Sequence, residues 1–290
     1  MLRRRRALGL AVILAVLLLL WCTWEVWRSY HDPQVTNWEI SAGLDTPVRL
    51  AVLSDLHDRT FGTDNTPLVE LVAEQEPDLI LLDGDMLNAD SPDSRTVLSL
   101  CAALVEIAPV YYAWGNHELD YIAAGTSDLE GELEALGVTT LEEDYVDLTV
   151  HGADLRLGGM YGYAFSLGVY NSCEREDMDP EVWDFLTEFQ DTDRYKLLLC
   201  HRPDSFIFGI ASEVWDVDLV ISGHDHGGQV VLPLLGGVFG GDQGLFPTYI
   251  HGVYQKDRIT LAVTSGLGSQ PERLPRFHNP PEVLILDLTA

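Results

Sequence analysis

The sequence predicts an α/β domain of two packed sheets with helices on the outside, preceded by one apolar helix long enough to cross a membrane. Three observations predict it. Between residues 48 and 113, short apolar strands alternate with stretches of helical spacing, a layout that pairs strands in parallel through helical crossovers. Beyond residue 195 the chain is again rich in strands. Ahead of both, Arg3, Arg4, Arg5 and Arg6 precede an unbroken apolar run over residues 7–24.

That run is just long enough to span a bilayer as a helix. Trp21, Trp24, Trp27 and Tyr30 mark its interfacial end. A cleaved signal peptide calls for small residues in an Ala-x-Ala arrangement after the apolar core, and none stands between Leu20 and Tyr30. Trp21 ahead of Cys22 argues against a lipoprotein, and four consecutive arginines argue against a buried core helix. Residues 1–30 therefore read as an arginine cluster and an uncleaved single-pass anchor. The cluster places the N-terminus in the cytoplasm and the rest of the chain on the extracytoplasmic side of the cell membrane.

Residues 31–46 read as a linker with a leading strand, and 47–290 as one domain. Val48–Leu53 is an apolar strand, 67–75 a helix, 79–82 a strand, 95–107 a helix and Val110–Ala113 a third strand. A helix over 127–136 follows, then a hairpin of 145–150 and 155–159 around His151-Gly152-Ala153. Pro180–Phe189 is a helix opened by its proline, and Tyr195–Cys200 and Leu219–Ser222 are strands. The tail adds strands at 228–232, 249–254, 259–264 and 283–288.

Hydrophobic residues make up 47% of the 290, enough for a substantial core. The formal net charge is −29, and beyond residue 30 it is −33, with 12 basic against 45 acidic residues. A domain that acidic excludes binding to nucleic acid through its phosphates and is repelled by anionic headgroups. Cys22, Cys101, Cys173 and Cys200 follow no zinc or redox spacing. Cys101 and Cys200 fall in apolar elements and read as buried thiols.

Five pieces end where a strand should give way to a loop: Asp55-Leu56-His57, Gly84-Asp85, Gly115-Asn116-His117-Glu118, Cys200-His201-Arg202 and Gly223-His224-Asp225-His226-Gly227-Gly228. They hold five of the nine histidines. Ligands at successive strand ends converge on one rim of a sheet, where open α/β sheets bind ligands. Oxygen and imidazole donors with almost no sulfur suit a pair of divalent ions of the Mn, Fe or Zn kind. Such a pair serves in-line displacement at phosphorus. Asp55 and His57, two apart, share a face on a regular strand. Asp85 stands where a carboxylate bridges two cations. Asn116 offers a neutral oxygen, and His117 can face substrate rather than metal. Each piece alone is common; together and in this order they form a ligand set.

In that order the motifs resemble those of calcineurin-like metallophosphoesterases, in particular the membrane-anchored bacterial phosphodiesterase subgroup, over residues 48–288. The resemblance implies a four-layer α/β/β/α sandwich of two mixed sheets flanked by helices. It implies one ion on Asp55, His57, Asp85 and His226, and a second on Asp85, Asn116, His201 and His224, with His117 as the catalytic histidine. It implies hydrolysis of a phosphodiester or pyrophosphate by a water that the two ions activate for in-line attack. The tether suggests a lipid-linked or envelope-derived phosphate ester as substrate, with no protein partner implied. The subgroup often has Thr where this chain has Asp225, a carboxylate that either tightens metal binding or points to solvent. A non-catalytic scaffold or metal sensor on the same fold is the alternative. Scaffolds of that kind lose ligands or the catalytic histidine, and none is missing here.

Overall fold

The computed structural model describes residues 2–162, 172–269 and 275–290. Its first element is the helix α1 (Leu2–His31), whose apolar side chains from Leu8 to Leu20 are exposed. The elements after it are β1 (Gln34–Ser41), β2 (Val48–Leu53), α2 (Thr66–Ala73), β3 (Leu79–Asp83), α3 (Arg95–Leu104), β4 (Val110–Ala113), α4 (Asn116–Ala124), α5 (Leu129–Glu134), β5 (Thr139–Leu141), β6 (Asp144–Val150) and β7 (Ala153–Met160). Then come α6 (Pro180–Phe189), β8 (Tyr195–Cys200), α7 (Asp204–Ile207), α8 (Ala211–Val214) and β9 (Leu219–Ser222). Four two-residue strands follow, β10 (Val231–Leu232), β11 (Gly236–Gly237), β12 (Phe239–Gly240) and β13 (Gly244–Leu245), and the chain closes with β14 (Gly252–Lys256), β15 (Ile259–Val263) and β16 (Glu282–Thr289).

Two six-stranded mixed sheets form, in the orders β1-β16-β2-β3-β4-β5 and β14-β15-β9-β8-β7-β6. In the first, β2, β3, β4 and β5 run parallel while β16 lies antiparallel to β2. In the second, β7, β8, β9 and β15 run parallel between two antiparallel edges. The strands are apolar on both faces because both faces are covered. Leu50 and Val52 of β2 pack between the sheets with Leu197, Leu199 and Ile221. Ala51 and Leu53, on the opposite face by strand alternation, pack on Leu68, Val97 and Leu100 of α2 and α3. The outer face of the second sheet, Leu198, Cys200 and Val220, packs under Val182, Phe185 and Phe189 of α6. The result is the expected layering of helices, sheet, sheet and helices.

Three expectations change in detail. Residues 34–41, read as linker with a leading strand, pair in parallel with β16 along all eight residues. Only Ile40 of that strand is buried, which is why its pattern is weak. The strand expected over 228–232 shrinks to β10, because His226–Gly228 closes a 3₁₀ turn with Gly227 at φ 61°. The strand expected over 249–254 is β14, three residues later. Cys22, Cys101, Cys173 and Cys200 are free thiols, and burial pushes Cys101 up to about 12.

Candidate metal centre

The parallel strands β2, β3 and β4 of one sheet and β8 and β9 of the other end at the same rim, and each hands its next residues to one place. Asp55 and His57 follow β2, Asp85 follows β3, Asn116 and His117 open α4, His201 follows β8, and His224 and His226 follow β9. All seven expected ligands and His117 meet there. Ligand atoms fall into three groups, each within 4.8 Å: Asp55, His57 and His226; His57, Asp85 and His117; and Asp85, His201 and His224. Asp85 is central. Its Oδ2 lies 3.2 Å from His201 Nε2 and 3.9 Å from both His57 Nε2 and His117 Nε2. Asp55 Oδ1 lies 3.6 Å from His226 Nδ1 and 4.0 Å from His201 Nε2.

The backbone supplies a feature that spacing did not suggest. Asp55, His57, Asp85, His224 and His226 all have left-handed φ, between 47° and 66°. Non-glycine residues adopt that region rarely and at a cost, and such strain clusters at functional sites. Asp55 and His57 therefore converge as loop residues and not as neighbours on one face of β2. The loops also approach very closely. A Cβ on Gly84 would meet Gly115 N at 2.5 Å and His201 Nδ1 at 2.7 Å. Glycine at 84 lets the Asp85 and Asn116 loops touch.

Hydrogen bonds set each imidazole. His57 Nδ1 faces Asn88 Oδ1 at 3.0 Å, and the Asn88 amide is oriented by donating to Asp58 Oδ2 at 2.8 Å. His201 Nδ1 donates to the Asp83 carbonyl at 2.6 Å, and His226 Nδ1 to the Gly268 carbonyl at 3.1 Å. In the neutral form all three rings carry their proton on Nδ1, and the Nε2 atoms of His57 and His201 face the Asp85 carboxylate, the arrangement of a metal-ligating histidine. His117 is set the other way. Its Nδ1 accepts the Ala89 N–H at 2.9 Å, so in the neutral ring the proton is on Nε2. His117 thus presents a donor where the others present lone pairs.

His57 Nε2, Asn116 Oδ1, His201 Nε2 and His224 Nδ1 are buried atoms with no aligned hydrogen-bond partner. Buried polar atoms are normally satisfied, and four of them converging beside two carboxylates fit cations. Burial pushes His57 and His226 down to about 4, and His224 down as well, which favours the neutral imidazole, the form that can bind a cation. Burial works against charge on His201 too, but Asp85 and Asp55 outweigh it and push its imidazole up.

Glu118 has a role that its place in the motif did not reveal. It is fully buried and accepts from Asp85 N at 2.7 Å, Met86 N at 2.8 Å, Gly115 N at 2.9 Å and Tyr112 Oη at 2.6 Å. Its place three residues after Gly115, the capping-box position of α4, was the available signal. Asp225 neither faces the ligands' open side nor points to solvent. It is buried, holds the Gln243 amide, and burial pushes it up to about 8. Above the ligands opens a cavity of about 440 Å³, lined by His57, Asp85, Asn116, His117, His224 and His226 and walled by Asp120, Gln229, Phe239 and Gly241.

Several proteins are similar in sequence over most of the chain. A Helicobacter pylori (strain J99) protein called an uncharacterized metallophosphoesterase is 27% identical over 271 residues, covering 90% of this chain and 66% of that protein. The Escherichia coli phosphodiesterase YaeI is 28% identical, covering 83% and 82%. A Bos taurus transmembrane protein with metallophosphoesterase domain is 26% identical, covering 81% and 52%. The chain thus spans just under two thirds of the Helicobacter relative's length. The family profile of calcineurin-like phosphoesterases matches residues 48–228, the stretch that holds every ligand loop described above, and the chain belongs to that family.

Proposed function

We propose that this chain is a two-metal hydrolase of phosphate esters, of the phosphodiesterase or pyrophosphatase class. Its domain, residues 47–290, is held at the outer face of the cytoplasmic membrane by the helix within residues 1–30. The observation that carries the reading is the division among the histidines. In their neutral forms His57, His201 and His226 hold the proton on Nδ1, with the Nε2 atoms of His57 and His201 facing Asp85, while the Ala89 N–H puts the His117 proton on Nε2. A site that only stored or sensed metal has no use for the fourth, oppositely set ring.

Asp55, His57, Asp85 and His226 would hold one ion and Asp85, Asn116, His201 and His224 the other, with Mn, Fe or Zn suited to these donors. When bound, the pair supplies an activated water and offsets phosphoryl charge. The chain's own residues do the rest. Glu118 ties the Asp85 and Asn116 loops together through the N–H groups of Asp85, Met86 and Gly115, which would hold the Asp85 carboxylate in place between the ions. His117 Nε2–H donates to the phosphoryl or leaving oxygen. Asp120, at the wall of the cavity one turn along α4 from Asn116, adds negative charge beside the phosphate. That charge repels a dianionic monoester more than a monoanionic diester. The activity in the Escherichia coli relative's name agrees with a diester.

The test is metal analysis of the purified full-length protein in detergent. Hydrolysis of bis(4-nitrophenyl) phosphate, 4-nitrophenyl phosphate and pyrophosphate would then be followed before and after chelation. Two ions per chain and a chelator-sensitive diesterase activity restored by Mn are expected. Tight metal binding without turnover on any of the three would leave a scaffold or sensor.

A further inference from the structure

Outside the ligand set, one segment differs from the rest of the domain in composition and in exposure. Residues 230–250 contain a single charged residue, Asp242, in a domain of net charge −33 beyond residue 30. The segment folds into two small ladders, β10 with β11 and β12 with β13. At the first turn Leu234 is 105% and Leu235 65% exposed, and beside the second Leu245 is 71% and Phe246 57% exposed. Leu234 and Phe246 hold positive φ, 70° and 53°. Four large apolar side chains are thus presented outward, two of them on unfavourable backbone. Such clustering marks an interaction surface.

The anchor helix indicates which surface. Trp21 packs edge-on against Phe277, ring centroids 5.6 Å apart. Phe277 in turn bridges to Val230, and its carbonyl accepts the Val231 N–H at 2.9 Å. From Arg6 to Trp21 a helix rises roughly 22 Å at about 1.5 Å per residue, and the hydrocarbon of a bilayer is about 30 Å thick. With Arg6 at one boundary, Trp21 is still at or inside the opposite one. Phe277 touches it, and the β10 turn begins three residues beyond Val231, about 10 Å of strand away. The segment is brought to membrane level by contacts that the fold already makes. Its other side, Phe239 and Gly241, walls the cavity above the ligands.

We infer that the two turns around Leu234 and Phe246 form a second membrane contact, seated in the lipid interface beside the anchor, so that the cavity opens at the bilayer surface. With Asp242 its single charged residue, this patch can approach lipid where the acidic surface around it is repelled. The site would then take phosphoesters presented by an amphiphile in the membrane. The inference rests on α1 being a membrane anchor, and its test separates the two. Full-length protein carrying Cys22→Ser would be reconstituted in phosphatidylcholine vesicles. An environment-sensitive fluorophore would be placed at Leu234→Cys, Phe246→Cys, Leu14→Cys or Asp193→Cys, with circular dichroism checking each fold. Asp193 is exposed and precedes β8, at the strand end opposite the ligands. Blue-shifted emission quenched by lipids spin-labelled near the headgroup is expected at 234 and 246, quenching by deeply labelled lipids at 14, and neither at 193. A water-like spectrum at 234 and 246 with 14 still quenched overturns the contact alone. An unquenched label at 14 overturns the anchor and the contact with it. A blue shift at 234 that no lipid quenches means that a second copy of the chain covers the patch, which also overturns it.

Discussion

At the scale of single residues, the chemistry turns on which nitrogen of each ring carries a proton. His117→Asn should keep both metals and lose turnover by about 10²–10⁴-fold, the usual weight of general acid help. The loss should be largest for alkyl diesters, whose leaving alkoxide is strongly basic, and smaller for aryl esters. Comparing the two substrate classes in wild type and variant checks this. An equal loss on both makes His117 a charge stabiliser, and a loss of metal makes it a ligand. Asp120→Asn should raise the rate on 4-nitrophenyl phosphate relative to bis(4-nitrophenyl) phosphate, because it removes repulsion that falls harder on the dianion. An unchanged ratio removes Asp120 from the choice of substrate. The candidate ligands that the structure brings together were legible in the sequence because oxygen and imidazole donors recur at strand ends in a recognisable order. The left-handed φ of Asp55, His57, Asp85, His224 and His226 was not. Nothing in Asp or His demands that conformation, and it arises where loops from two sheets are forced together.

At the scale of elements, Glu118 shows how a helix start can serve a loop from the neighbouring strand. Its carboxylate gathers the N–H groups of Gly115, Asp85 and Met86 and the Tyr112 hydroxyl. Glu118→Gln puts an amide NH₂ where only acceptors fit, which leaves at least one buried donor unpaired at about 1–3 kcal/mol. A melting temperature lowered to match, together with weaker retention of the metals, is expected; a normal melt with normal metal content contradicts the clamp. A second cluster joins β16 to the residue before β14 and to the loop after β15. Glu282 Oε1 meets His251 Nε2 at 2.7 Å, and its Oε2 accepts from Thr264 Oγ1 and Ser265 N, each at 2.7 Å. Burial opposes charge on Glu282, but these partners outweigh it and hold the carboxyl below its usual 4.5. The hydrogen bond to Glu282 raises His251 above its usual 6.5. The carboxyl's contribution is full above about pH 4.5 and is lost as pH falls through its folded value. The imidazole's is full below about pH 6.5 and is lost as pH rises through its folded value. The melting difference between wild type and Glu282→Gln should therefore peak between these limits, and a difference flat from pH 4 to 9 would refute the pairing. Strands such as β2 and β8 were legible because both faces are apolar. β1 was weak because it is an exposed edge whose pairing with β16 joins residues nearly 250 positions apart.

At the scale of the whole molecule, the anchor and the domain are not independent bodies joined by a loose tether. The foot of α1 is docked. Ser29 Oγ accepts the Asn279 N–H at 3.0 Å, Tyr30 Oη accepts the Arg276 N–H at 2.9 Å, and the Arg59 guanidinium lies 4.7 Å over the Tyr30 ring. Asn279 then donates to the His226 carbonyl at 2.7 Å, and the buried Arg276 donates to Gly268 O, the carbonyl that also holds His226 Nδ1. The apolar run was legible from composition alone. The docking was not, because Arg276 and Asn279 lie some 250 residues downstream and, like Arg59, are polar residues with no pattern of their own. If α1 spans a membrane as proposed, its docked foot would set how the domain stands on the surface, and the arginine cluster would set on which side. Positively charged flanks stay cytoplasmic, so Arg3, Arg4, Arg5 and Arg6 should remain inside and the acidic domain outside. Protease added to intact spheroplasts of an expressing bacterium should digest the domain while cytoplasmic markers survive. Replacing the four arginines with neutral residues should scramble that orientation and protect part of the population. Full protection of the unaltered chain would reverse the topology, and release of the domain into the medium would mean that the helix is cleaved.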